Sequence, residues 1–99
     1  MNYGLVASEL FLEQVKSLPG KYKKQIKNKI ELIKQNPFRF KKIHSRRFSL
    51  VFRVRLSIEG KETRLVYVVL GSKIVLACLL DRSKEYKDME SHLSKIENL

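Results

Sequence analysis

The hydrophobic positions of this chain change period several times, and those changes divide it into elements. Three runs, Phe48 to Leu56, Thr63 to Val69 and Lys73 to Leu80, are rich in β-branched and aromatic residues. Turns containing Gly60 and Gly71 separate them, which predicts an antiparallel meander. Alternation along the first run sets Phe48, Leu50, Phe52, Val54 and Leu56 on one face and Arg53 with Arg55 on the other. Two guanidinium groups on a half-buried strand oppose packing, because arginine stays charged and is rarely fully buried. The second and third runs are apolar on both faces, so they require cover on both sides or a central place in the sheet.

Upstream of the meander the period is helical. Tyr3, Leu5 and Ala7 alternate with smaller or polar neighbours and predict a short strand within residues 1–7. Ser8 offers a capping oxygen and Glu9 an acid in the first turn. Ala7, Phe11, Val15 and Leu18 then recur at helical spacing, predicting a helix over 8–18 that Pro19-Gly20 interrupts. A second helix over 20–35 carries Tyr22, Ile26, Ile30 and Ile33 as its apolar stripe, with Lys23, Lys24, Lys27 and Lys34 mainly opposite. Those lysines form either a solvated face or an RNA contact. Asn36-Pro37 ends this helix, since the residue before proline disfavours the α region. A basic connection with interleaved aromatics, Phe38 to Arg47, leads into the meander. After it, Tyr86, Met89, Leu93 and Ile96 predict a last helix whose stripe needs the sheet or a partner's groove. The order β-α-α-β-β-β-α reads as one α+β domain over 1–99, an antiparallel sheet with an N-terminal helical hairpin and a C-terminal helix.

Charge alters this picture more than any other bulk property. The 99 residues hold 21 Lys and Arg against 10 Asp and Glu, a net charge of +11. Between residues 19 and 48 eleven basic side chains face one acid, Glu31. Such a bias points to nucleic acid, an anionic surface or an acidic protein. The single Cys78 lies in an apolar run and reads as a small buried hydrophobe, in keeping with a reducing compartment. No leader-like segment and no apolar stretch of about 20 residues is visible, so a cytoplasmic protein without membrane contact is expected.

Several chemistries have no residues to carry them. One Cys and two distant histidines, His44 and His92, make no zinc set, so no metal and no cofactor are expected. The four glycines are isolated turn residues rather than a phosphate loop, and no nucleophile elbow occurs. What remains is a set of cations around the meander: Arg53, Arg55, Arg64, Arg82 and Lys84, with Tyr86 following. They are either separate solvated edges or donors converging on a phosphoryl group.

The order of these motifs resembles the RelE/ParE superfamily of type II toxins, and within it the RelE branch of mRNA endonucleases. Carrying the resemblance are Leu18-Pro19, Asn36-Pro37, Lys41-Lys42-Ile43, Phe52 to Leu56, Arg64 to Val68 and Asp81 to Tyr86. It implies a toxin that cuts mRNA on the ribosome without a metal, by attack of the ribose 2′-OH on the adjacent phosphate. It also implies a cognate acidic antitoxin, RelB-like, as partner. By motif, Arg53 and Arg55 match the family's basic strand pair, Arg64 the scissile-phosphate arginine, Arg82 the tail arginine and Tyr86 the base-contacting tyrosine. Lys41, Lys42, Arg46, Arg47 and Lys84 are expected to bind RNA. The family's best-known members carry lysines where Arg53 and Arg55 stand, and arginine does not serve readily as a base. Lys84, His44 and Glu85 are the candidates for that role. A gyrase-inhibiting ParE-like toxin, or a basic RNA- or ribosome-binding module without catalysis, would fit the same elements.

Overall fold

A computed structural model describes residues 3–81 and 86–96, with side chains in the last helix described from Asp88. The elements run β1 (Gly4–Ala7), α1 (Glu9–Lys16), α2 (Gly20–Gln35), β2 (Lys41–Ile43), β3 (Val51–Ile58), β4 (Lys61–Leu70), β5 (Lys73–Asp81) and α3 (Tyr86–Ser94). The strands form one five-stranded sheet in the order β1-β5-β4-β3-β2.

The α+β class and the helical and meander elements are those expected, with two differences in the sheet. β1 pairs with β5 in parallel, so the sheet is mixed rather than wholly antiparallel. The basic connection contains a strand, β2, antiparallel to β3 with Lys41 opposite Arg53 and Ile43 opposite Val51. Three residues are too few for a period to show, and Ile43 alone of them is buried.

Tight turns set the meander register. Glu59 and Gly60 both have positive φ, 53° and 77°, and join Ile58 to its partner Lys61. Two positive φ values favour a hairpin that follows the right-handed strand twist. At the far end Gly71, with φ 58°, opens the two-residue turn before Lys73. A bulge interrupts β4–β5: Val66 faces Cys78 while Tyr67 faces Leu76, leaving Ala77 as the extra residue. It shifts the alternation, so Val75, Ala77, Cys78 and Leu80 all join one cluster while Ile74, Leu76 and Leu79 join the other.

The doubly apolar strands are covered as their sequence requires. On one face Phe11, Ile26 and Ile33 from α1 and α2 pack against Phe52, Val54, Leu65, Tyr67 and Ile74. On the other, Met89, Leu93 and Ile96 of the C-terminal segment cover Val66, Val68, Val75 and Cys78. The last helix therefore docks on its own sheet. Phe48 packs with this second cluster and Leu50 with the first, because the chain bends before β3 and breaks the alternation expected from Phe48 onward.

Polar groups complete the frame. Ser8 Oγ accepts from Phe11 N (3.0 Å) as the α1 cap and donates to Ala77 O (2.6 Å). Beyond the end of β1, the Gln14 amide donates to Leu79 O (2.8 Å) and accepts from Leu79 N (2.7 Å), continuing the pairing along the β5 edge. The buried Tyr67 hydroxyl donates to Pro37 O (2.6 Å), tying the end of α2 to the sheet. Its ring stacks on Phe52 at 5.4 Å, and Phe38 meets Phe52 edge-on at 5.8 Å.

Candidate nucleic-acid interface

The cations expected to act together are brought together by strand register. Directly opposed residues of antiparallel strands share a face. Lys41 opposes Arg53, Arg53 opposes Val66, and Arg55 opposes Arg64. Ile43, Val51 and Val66 of the same alternating set lie in the cluster beneath the last helix, so all four cations belong to that helix's side of the sheet. The result is a patch on β2, β3 and β4 with a second basic residue beside each strand arginine.

Exposure divides the two strand arginines. Arg53 is only 7% exposed, hemmed in by β2 and β4, whereas the Arg55 side chain is 63% exposed. Arg55 Nε lies 3.7 Å from Glu62 Oε1, two residues along β4 from its register partner Arg64. An exposed pair of this kind contributes little to stability and yields readily to a stronger anion. Arg64 has its Nε buried without a hydrogen-bond partner among the described residues, so part of its fork is already desolvated.

A concavity of about 770 Å³ adjoins the patch, lined by Lys41, Lys42, His44, Arg46, Arg47 and Glu90. The loop's shape is locally encoded: Ser45 Oγ accepts from Arg47 N (3.1 Å) and Phe48 N (3.4 Å). Glu90 of α3 anchors it, accepting from Arg46 N (3.2 Å) and lying 3.9 Å from Arg47 Nε. A smaller recess of about 470 Å³ at the edge of β3 is lined by Lys29, Arg39, Phe40, Lys41, Arg53 and Arg55.

Of the residues singled out in the sequence, Lys41, Arg53, Arg55 and Arg64 thus share one face, and Lys42, Arg46 and Arg47 line the adjoining concavity. His44 lines it too. Arg82, Lys84 and Glu85 lie outside the described residues, and Tyr86 opens α3 with its side chain outside them. Lys29, Arg39 and Glu90 were not legible as site residues. Lys29 had only its place on a basic helix, and Glu90 was one more polar position on the last helix.

Two titrating groups report on the surroundings. Burial pushes the Cys78 thiol up to about 12, which suits an inert core residue. His92 is held below its ordinary 6.5, by burial first and the Lys95 charge second, with Asp88 acting in the opposite sense. Among the described residues no three His, Cys, Asp or Glu side chains cluster as metal ligands would. No helix among them is long and apolar enough to cross a membrane.

A mixed five-stranded sheet with a helical pair on one face, a single helix on the other and a cationic strand patch defines a small basic α+β fold. That fold is the one of the E. coli toxin RelE. A double arginine-to-alanine mutant of RelE in the free state superposes with a TM-score of 0.73 at 20% identity, over 97% of this chain and 99% of that one. The isolated RelE toxin gives 0.64 at 18% identity over 95% and 98%. The intact E. coli RelBE toxin-antitoxin complex gives 0.63 at 18% identity over 83% and 99%. No family model matches the sequence, and no curated protein does.

Proposed function

We propose that this chain is the toxin of a type II toxin-antitoxin pair and that it cleaves mRNA on the ribosome. One observation carries the reading: on a RelE fold, Arg55 and Arg64 stand opposite each other across β3 and β4, with Arg53 and Lys41 one step along the same face. Charge that develops on phosphate oxygens during 2′-OH attack is stabilised best by donors fixed in advance in a site that excludes water. Arg64, already partly desolvated, is the proposed phosphate-gripping residue, and Arg55 faces it. Arg53 is too buried to reach far and acts as a fixed positive charge behind them. Arg82 and Tyr86 are the proposed tail contributors.

The proton acceptor is not an arginine. Among the described residues that border the patch and can accept a proton, Lys41 stands in register with Arg53 and His44 lines the adjoining concavity. With both strand-pair positions occupied by arginine, a second reading keeps the RNA or ribosome contact without turnover. Primer extension on a message translated with and without the protein separates the two. Cleavage is expected with wild type and a loss on the order of 10²–10³-fold in rate with Arg64→Ala, the scale of removing one preorganised donor. An uncut message on ribosomes that retain the protein favours the binding module; translation left intact with no protein retained on ribosomes or RNA sinks both.

The partner proposed is a small acidic antitoxin. RelE is found with its antitoxin in the RelBE complex, and here a net +11 offers the complementary charge. Expression from the native locus should copurify an acidic protein at fixed stoichiometry; a protein recovered alone would count against it.

A further inference from the structure

β2 pairs with β3 only from Val51 to Arg53, so from Val54 onward no strand covers that side of β3 among the described residues. Beside this step the connection from α2 to β2 packs on the sheet, with Phe38 against Phe52 and Phe40 against the first apolar cluster. The recess that results gathers Lys29 from the helix, Arg39 with Phe40 from the connection, Lys41 from β2, and Arg53 with Arg55 from β3. Arg39 lies over the Phe40 ring at 5.4 Å. No carboxylate lines the recess among the described residues.

Five cationic side chains drawn from four segments, with Glu62 beside Arg55 as a nearby carboxylate, concentrate positive charge that an anion in the recess would offset. Neither sequence motif nor the cleavage scheme uses Lys29 or Arg39. We propose that this recess is a second RNA-binding subsite, which holds the strand's phosphates beyond the Arg55–Arg64 pair and offers the Arg39–Phe40 surface to a base. The proposal rests on RNA being the ligand of the basic face.

Two features favour RNA over an acidic polypeptide. Lys41 lines both this recess and the larger basic concavity, so the two join through β2 into one mainly basic track from Arg39 to Arg47, bordered by Glu90. A continuous basic track matches a ligand with a charge on every unit, as single-strand grooves do. Arginine forks and a planar guanidinium on an aromatic ring also suit phosphate oxygens and an unstacked base.

The test is the salt dependence of binding to a fluorescent 2′-O-methyl RNA oligonucleotide, which cannot be cleaved through its 2′ oxygens. Full-length wild type is compared by anisotropy with Lys29→Ala, Arg39→Ala, the double variant and Lys24→Ala, a control on the exposed side of α2. Each recess variant should bind several-fold more weakly, and the slope of log K against log salt should shrink by about 0.7 per lost phosphate contact. Circular dichroism must show all variants folded; a recess variant that unfolds is replaced by its Gln counterpart. The subsite is overturned if the double variant keeps the wild-type slope, or if Lys24→Ala lowers it equally. It is also overturned if the recess variants lose affinity only for a poly-glutamate peptide. Because no cleavage is read, a protein that fails to arrest translation yet shows the slope change would sink the toxin reading and leave the subsite standing.

Discussion

At the scale of single residues, the same side chain type does different work according to its place in the sheet. Arg53 and Arg55 are two positions apart on β3 and point to the same side, yet one is 7% exposed and the other open to solvent. The difference comes from the neighbouring strand, because β2 covers β3 only as far as Arg53. Tyr67 shows the opposite economy: a fully buried aromatic ring spends its hydroxyl on Pro37 O at 2.6 Å. Without that donor the carbonyl of a buried residue would have no partner from the tyrosine, and its burial would press the hydroxyl's own pKa upward in any case. Tyr67→Phe should therefore destabilise the protein by about 1–3 kcal/mol, measured by urea unfolding, with no change in secondary structure. An unchanged midpoint would mean that another donor replaces the hydroxyl.

At the scale of elements, the last helix is the part whose attachment responds to solution conditions. Met89, Leu93 and Ile96 hold it to the sheet, and Glu90 ties it to the basic loop. His92 lies among these contacts with Nδ1 buried and without a hydrogen-bond partner among the described residues. Asp81 and Asp88 share one hollow with it, and Glu9 and Lys95 share another. Its pKa in the fold is depressed, so the folded state favours the neutral ring. The corresponding stability is present above the ordinary value of 6.5 and is lost as pH falls below it toward the folded value. The melting temperature should drop between about pH 7 and pH 5 more in wild type than in His92→Gln. Equal pH profiles would remove the histidine from the account. Helix α1 has the complementary role at the other edge: Gln14 extends strand-like pairing to Leu79 where β1 has already ended. A sheet edge is thereby closed by one side chain rather than by a longer strand.

At the scale of the whole molecule, charge and fold are separable. The sheet and its two apolar clusters need none of the basic residues except as tolerated neighbours, while +10 of the net +11 charge is gathered on α2, β2 and the connections that flank β2. Any polyanion will therefore bind with strong salt sensitivity, and affinity alone does not distinguish RNA from an acidic protein. That is why the proposed cleavage is tested by mapped cut sites, the subsite by a salt slope and the antitoxin by copurification.

Much of this organisation was legible in the chain. The period-two and period-3.6 patterns, the Ser8 cap, Asn36-Pro37 and the glycine turns mark out the helices and the meander because each depends on neighbours a few residues away. The hairpin that sets Arg64 opposite Arg55 is a local constraint, but the chain alone left these cations as either separate edges or converging donors. The parallel β1–β5 pair and the short β2 were not legible, since both depend on partners far along the chain and on strands too brief to show a period. The bulge at Ala77 left no mark in a run that is apolar throughout. Nor could spacing bring Lys29, Arg39 and Arg55 around one recess, or set Glu90 beneath Arg46 and Arg47. By itself the sequence determined every element but the short β2, the apolar faces and the excess of positive charge. Only tertiary packing decided which cations meet, because strand order and helix docking are long-range choices that local residue patterns do not encode.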